Sequence, residues 1–390
     1  MNLLIISFFY KPDLSAGSFR TTALVESIEQ KYPTAKIDII STLPNRYKDF
    51  SEDCKKIEYN GNVTIYRADV NTKVSGILGQ IISFILFFLF TFKLVVGKKY
   101  NVVYATSSRL MTAFLGALVA TIKRAYLYLD IRDIFIDTVE DVFPKKMTVL
   151  VLPILSVIER FTINKAHKVN MVSRGFLPYF ESKFKDKSYS FYTNGIDSIF
   201  LNNIVKKIPN IDKNKTVSVI YAGNFGDGQG LHKIIPQLAK KLENKASFQL
   251  IGNGGRKKEL EEQLEKLNIN NVEIIAPVHR IELLKFYENA DILFLHLNDY
   301  DAFKKVIPSK IFEYACYNKP IWGGLSGYVV DFLSDSMHGA YIFEPCNVDE
   351  AVKAFNNIDY DIKPREKFIH LYTRSNIMNN LADDVMALIK

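Results

Sequence analysis

The sequence predicts an α/β fold built from two doubly wound parallel sheets, in two domains facing each other across a cleft. Three observations lead there. Short apolar runs alternate with segments of helical period along most of the chain. A polar stretch at 202–215 interrupts that alternation, which then restarts. Glycine-rich turns follow predicted strands in both halves. At 390 residues the chain exceeds what one small core organises, so two domains are the natural division. The boundaries read as 1–200 and 201–374, with a final helix at 375–390 packing back on the first domain.

The elements follow in order. Residues 3–10 are a continuous apolar run, as expected of a strand covered on both faces, and 18–31 has helical spacing. Further strands are predicted at 36–41, 63–67, 102–106, 126–131, 168–172 and 190–192, with an apolar helix at 148–163. Such a series gives a parallel sheet with right-handed crossovers. In the second half, strands at 217–221, 248–251, 272–275 and 292–295 alternate with helices at 231–242 and 259–267. Ligands of such sheets bind beyond the carboxyl ends of the strands, which places the expected site in the cleft.

Composition excludes several classes. Hydrophobic content of 48% indicates a folded protein, and no tandem repeat of solenoid period is present. Cys54, Cys316 and Cys346 are far apart and form no CxxC pair, which speaks against a zinc site or disulfide framework. The apolar N-terminus lacks a basic flank and a small-residue cleavage site, so it reads as a first strand rather than a leader.

The placement of the +8 net charge is informative. No acidic residue lies between Asp69 and Asp130, whereas Lys73, Lys93, Lys98, Lys99, Arg109, Lys123 and Arg124 do. Inside this window, 77–96 is an apolar run of about the twenty residues that span a bilayer. A single crossing would separate strands of one sheet, so a helix packed on the sheet with an exposed apolar edge is expected. With lysines reaching anionic headgroups, the region 77–99 would hold the protein at a membrane surface. Nucleic acid is not the expected partner, because the cations interleave with aliphatics rather than with stacking aromatics.

The most informative stretch is Pro308-Ser309-Lys310-Ile311-Phe312-Glu313-Tyr314-Ala315, leading into Lys319-Pro320-Ile321-Trp322-Gly323-Gly324. It reads as a turn, a short helix and a buried strand. Lys310 at a helix start favours an anion, and Glu313 one turn on can accept paired ribose hydroxyls. Gly17 with Arg20, the run Tyr221-Ala222-Gly223-Asn224-Phe225-Gly226, and Gly252 to Gly255 with Arg256 form three further turns where a phosphate could approach the backbone. Asp130-Ile131-Arg132-Asp133 follows a predicted strand of the first half. The pairs Asp299/Asp301 and Asp359/Asp361 resemble a DxD metal motif, but the repetition shows how readily that pattern arises, and no metal is predicted.

The order of the Gly17 loop, Tyr192-Thr193-Asn194-Gly195-Ile196-Asp197, the Gly223 and Gly252 turns and the Pro308 block resembles glycosyltransferase family 4, of GT-B fold with two Rossmann-like domains. Within it the chain is most similar to a bacterial O-antigen and capsule branch of fucosamine transferase-like proteins. The resemblance implies a retaining, metal-independent transferase moving a hexosyl or N-acetylaminosugar group. The donor would be a nucleotide-sugar, UDP-linked by family habit, and the acceptor a lipid-linked saccharide. It would act in the cytoplasm, peripherally attached to the inner face of the plasma membrane. Gly17, Gly223, Asn224, Gly252, Arg256, Ser309, Lys310, Glu313, Ser326 and Gly327 are then candidates for donor binding, Arg20 and Arg132 for acceptor binding, and Asp133 for catalysis. Glu313 matches the second glutamate of the family's Glu-x7-Glu motif, whereas the first falls at Lys305. The family's frequent basic pair on the second-half glycine loop is replaced by Asn224 and Gln229-Gly230. Those departures leave two alternatives, a nucleotide-sugar epimerase of the same fold and an inert membrane-bound scaffold.

Overall fold

The computed structural model describes the chain except residues 14, 45–53, 71–75, 108–109, 135, 138–144, 202–215, 362–363 and 390. The polar linker at 202–215, Lys73 and Arg109 therefore lie outside the described residues. The chain divides into two compact units, Met1–Asn194 with Arg374–Lys390, and Gly195–Thr373.

The first unit holds β1 (Asn2–Ile6), β2 (Lys36–Thr42), β3 (Ile57–Asn60), β4 (Val63–Ala68), β5 (Val102–Thr106), β6 (Tyr126–Ile131), β7 (Lys168–Met171) and β8 (Tyr189–Ser190). Their order across the sheet is β3-β4-β2-β1-β5-β6-β7-β8. Every pairing is parallel except the β3–β4 hairpin, whose turn holds Gly61 at φ +56°. Continuous burial of β1 and β5 explains their unbroken apolar runs. The edge strand β3 was not foreseen, because its polar, mostly exposed residues carry no period-two signal and pair only through the turn.

Right-handed crossovers place α1 (Ala16–Lys31) on one face and α2 (Gly76–Val95), α3 (Leu110–Lys123) and α4 (Lys145–Lys165) on the other. On the α1 face lies the final helix Arg374–Met386. Its Asp383 accepts from Tyr32 Oη at 2.9 Å and its Asp384 from Tyr128 Oη at 2.7 Å.

The segment Leu78–Val95 is long and apolar enough to cross a membrane, with mean hydropathy 2.1, and 22% of it is buried. It connects β4 and β5, which belong to one sheet. Phe87 buries against Phe8 with ring centroids 5.3 Å apart, and Ser83 Oγ donates to Val70 O at 2.9 Å. Leu78, Ile81, Ile85 and Leu89 on the outer side stay exposed. The helix thus lies along the sheet and leaves an apolar edge open, as its sequence predicts.

The second unit contains β9 (Val217–Asn224), β10 (Ala246–Asn253), β11 (Val272–Ile275), β12 (Ile292–His296), β13 (Ile321–Gly324) and β14 (Ala340–Phe343). The wholly parallel order β11-β10-β9-β12-β13-β14 is the 3-2-1-4-5-6 winding of a dinucleotide-binding sheet. Its winding reverses between β9 and β12, so their carboxyl ends flank the natural crevice. Trp322, fully buried, packs against Phe248, Phe294, Phe343 and Phe355 and fixes the sheet to its helices.

Candidate functional site

In the second unit the predicted donor residues gather at the carboxyl ends of β9, β10 and β13. Pro308 and Ser309 lead into the short helix Lys310–Tyr314, as the sequence indicated. Its five residues carry little dipole, so the ammonium of Lys310 is the effective charge. Lys310 reaches over Gly223, where a Cβ would meet its Cε at 2.9 Å and Tyr221 Oη also at 2.9 Å. Glycine is required there because the lysine stem and the tyrosine occupy the space. Lys310 Nζ lies 3.9 Å from Glu313 Oε2, and Tyr287 Oη donates to the same oxygen at 3.3 Å. The Lys310 and Glu313 side chains remain partly exposed, at 22% and 24%. Cation and carboxylate are thus held beside the last turn of β9 but open to a ligand.

Gly252 serves packing rather than ligand contact. At φ +153° its Cβ would come within 1.8 Å of Gly223 O, so only glycine lets these two strand ends converge. Gly327, at φ +74°, lies against Lys304 O at 2.2 Å from its would-be Cβ, and caps the helix Tyr328–Ser336. Ser326 precedes it, partly exposed. Asn224 is exposed, and its Nδ2 donates to Gln229 Oε1 at 2.9 Å.

Arg256 departs from expectation. Its Nε and Nη2 each lie 2.9 Å from Asp227 Oδ1, and its Nη1 donates to Glu259 Oε2 at 2.9 Å. With two carboxylates on one guanidinium, Arg256 offers no net positive charge to a diphosphate. It fastens the glycine loop instead. That loop has further partners, of which Asn298 and the Tyr300 bond to Asp227 escaped sequence reasoning. Asn298 Nδ2 donates to Asp227 O at 2.9 Å, Tyr300 Oη bonds Asp227, and His296 Nδ1 lies 2.7 Å from Gln229 O. Cys346 N–H donates to His296 Nε2 at 2.9 Å, which makes Nδ1 the protonated nitrogen of a neutral ring. Burial pushes the His296 pKa down to about 4, although its bond to Gln229 O works the other way. The position of His296 at the end of β12 marks it in the sequence as a local hydrogen-bond partner rather than a catalyst, whereas Asn298 carries no such signal. Asp301 of the DxD-like sequence pairs with Lys304 at 2.7 Å, both of them exposed.

The first unit carries its own cluster beyond β1, β5 and β6. Ser15 caps α1, its Oγ accepting from Ser18 N at 3.1 Å. Gly17 sits in the first turn, where a Cβ would meet Arg132 Nη1 at 2.6 Å. The Arg132 guanidinium therefore covers the start of α1, and its backbone N–H is fixed by Ser107 Oγ at 2.9 Å. Asp133 follows at the surface. Protein packed around its carboxyl partly desolvates the charged form and pushes the pKa up to about 6, against the pull of Arg132.

Arg20, expected among acceptor ligands, proves to be internal. It has no exposed surface and clasps Asp130 through Nε at 2.8 Å and Nη2 at 2.9 Å. It also donates to Thr193 O at 2.6 Å and Tyr192 O at 2.7 Å. With its donors engaged this way, Arg20 ties α1 to β6 and to the chain following β8. Burial works against both charges, yet their mutual attraction raises the arginine pKa and lowers that of Asp130. Asn170 Nδ2 adds a bond to Asp130 Oδ1 at 2.7 Å.

Residues 203–370 match the family model for Glycosyl transferases group 1. No curated protein matches the chain. Among solved structures, sucrose-phosphate synthase from Thermosynechococcus elongatus is similar over 99% of this chain and 98% of its own, with TM-score 0.75 and 10% identity. Anabaena HepE in complex with UDP aligns over 99% of both chains, with TM-score 0.63 and 14% identity. WaaG, a glycosyltransferase involved in lipopolysaccharide biosynthesis, aligns over 99% of both, with TM-score 0.66 and 13% identity. At such identities the likeness establishes the fold, which is GT-B. The group 1 match lies within the second unit.

Proposed function

We propose that this chain is a retaining, family 4-like glycosyltransferase that moves a hexosyl or N-acetylaminosugar group from a UDP-sugar to a lipid-linked saccharide. The setting would be bacterial O-antigen or capsule assembly, in the branch of fucosamine transferase-like proteins. The protein would work in the cytoplasm, held at the inner membrane face by 77–99. One observation carries the reading: Lys310 lies across Gly223 with Glu313 one turn away, at the carboxyl end of β9 beside the winding reversal.

Sugar transfer breaks the bond between the anomeric carbon and the diphosphate oxygen, so negative charge grows on the leaving group. A cation fixed at that position stabilises the transition state more than the ground state. Lys310 supplies that charge, and this reading needs no metal. Glu313 accepts the ribose hydroxyls. The Gly223 turn would let the diphosphate approach backbone N–H groups, with Ser309, Ser326 and Gly327 as further donor contacts. On the first unit Asp133 orients the acceptor hydroxyl or takes its proton, since a carboxyl titrating near pH 6 is ionised at neutrality and basic enough to accept. Arg132 beside Gly17 positions the acceptor.

Calorimetric titration with UDP-, GDP- and dTDP-sugars, with and without a divalent metal, tests the donor side. Metal-independent binding of one nucleotide class is expected, and no binding by folded protein would defeat the proposal. A second reading, an inert membrane-bound scaffold, is favoured by Lys305 at the first motif position and by the neutralised Arg256. Nucleotide binding without turnover on any lipid-linked saccharide would select it.

A further inference from the structure

The first unit carries a second polar feature at the opposite end of its sheet from Gly17 and Arg132. Helices α2, α3 and α4 all return to the amino ends of the strands, so their basic last turns, at Lys93, Lys123 and Lys165, come to one edge. Between the end of α3, the start of β6 and the end of α4 lies an open depression of about 470 Å³. Thr121, Arg124, Tyr126, Lys165 and His167 line it, together with two alanines and no acidic residue. Along β6 this place is roughly 20 Å from Arg132, at ~3.3 Å per residue.

The depression is built for an anion. No ion pair engages Arg124 or Lys165 among the described residues. His167 Nδ1 accepts the Leu127 N–H at 3.0 Å, which leaves the proton on Nε2 as a donor. The Tyr126 ring stands edge-on to the imidazole, centroids 4.9 Å apart, and holds it in place. Arg124 has φ +51° directly after α3, where the Ala125 N–H closes back on Ala120 O at 3.0 Å. Glycine is the ordinary occupant of that left-handed position, so an arginine there is a costly choice of side chain. Tyr126, which lines the depression, and Ile122, next in sequence to the lining Thr121, are 47% and 61% exposed. On the same helical layer Leu89 of α2 and Val157 of α4 are also exposed, whereas the exposed Leu78 and Val149 lie toward the far ends of those helices.

Cations beside exposed apolar side chains, on a layer whose outer surface is apolar, match the boundary between headgroup and acyl chain. We propose that this depression binds the phosphate of an anionic phospholipid headgroup. Arg124 and Lys165 supply the charge, His167 Nε2–H a donor, and Ile122 and Tyr126 settle at glycerol depth. The assignment rests on the membrane reading of the first unit, and not on glycosyl transfer.

The test is cosedimentation of the full chain with phosphatidylcholine vesicles and with vesicles containing phosphatidylglycerol. The wild type should prefer the anionic vesicles. Arg124→Gln/Lys165→Gln should lower that preference about 25-fold, at about five-fold per charge, and leave binding to neutral vesicles unchanged. His167→Phe removes the donor without altering charge at neutral pH and should lower it about five-fold, as for one hydrogen bond. An undiminished preference in either variant overturns the pocket, since general attraction to the surface would ignore His167. Saturation of the site by inorganic phosphate, with no vesicle preference, overturns the lipid assignment. If the wild type binds neither vesicle, the membrane reading itself fails. Unchanged circular dichroism and thermal melting verify that the variants are folded, and calorimetric nucleotide binding at the second unit keeps the transferase reading separate.

Discussion

Replacing Lys310 by alanine is the most direct perturbation of the proposed donor site. In the free protein its ammonium lies 3.9 Å from the Glu313 carboxylate, so the local charge is near balance. A bound diphosphate adds at least two negative charges, and Lys310 is the cation that the structure places over the Gly223 turn. Its side chain is 22% exposed, so solvent screens the interaction only in part. A hydrogen bond to a charged group is worth about 1.5–3 kcal/mol, which corresponds to roughly 12- to 160-fold in Kd. The true loss should fall toward the upper part of that range, because alanine also leaves Glu313 facing the phosphates uncompensated. Calorimetry with UDP, pyrophosphate and uridine would measure it. UDP and pyrophosphate should weaken together, with uridine unaffected. Adding Glu313→Gln to Lys310→Ala should restore part of the pyrophosphate affinity by removing the repulsion. Unchanged UDP affinity, or an equal loss for uridine, would refute the assignment of Lys310 to the diphosphate.

The remaining predictions address the neighbouring groups. Gly223→Ala places a methyl 2.9 Å from Lys310 Cε and Tyr221 Oη, so it should weaken UDP about 10-fold and cost about 1–3 kcal/mol of stability; an intact UDP affinity in calorimetry would show that the lysine's path is immaterial. Asp133, with a pKa of about 6, should give a kcat/KM that falls as pH drops below 6, and Asp133→Asn should lower kcat by about 10²–10⁴. A flat pH profile in the variant and the parent alike would remove it from the chemistry. The folded pKa lies above the ordinary 3.8, so the fold holds this proton more tightly than the unfolded chain does. Its contribution to stability is therefore present at low pH and is lost as pH rises through 6, so Asp133→Asn should not lower Tm at pH 7. Asp130→Ala strands the buried Arg20 charge and should destabilise the fold by about 3–5 kcal/mol in urea melts; a variant as stable as the parent would contradict the proposed internal clasp.

Much of the architecture was readable in the chain. β5 and β6 begin and end where their apolar runs do, because a strand covered on both faces needs nearly unbroken hydrophobicity. The Lys310 helix and the tight turns at Gly223 and Gly252 were equally visible, since positive φ and close backbone contact demand glycine. Two of the four edge strands escaped, whereas β8 and β11 were read within a residue or two of their places. β3 and β14 are short and lie at sheet margins, where pairing and not composition defines them.

Residue types determined which groups could do chemistry, but the fold decided which of them remain available. Arg20, Arg132 and Arg256 look alike in sequence, each beside a glycine turn or a strand end. Only packing shows that Arg20 is enclosed with Asp130, that Arg256 is shared by Asp227 and Glu259, and that Arg132 covers Gly17. Glu259 is a local partner three residues on, but the others come from distant parts of the chain: Asp130 is 110 residues from Arg20, and Asp227 is 29 from Arg256. A charge's worth to a ligand depends on what already neutralises it. Residue type sets the charge, whereas Asp130 for Arg20 and Asp227 for Arg256 become partners only because the strand order brings those strand ends together.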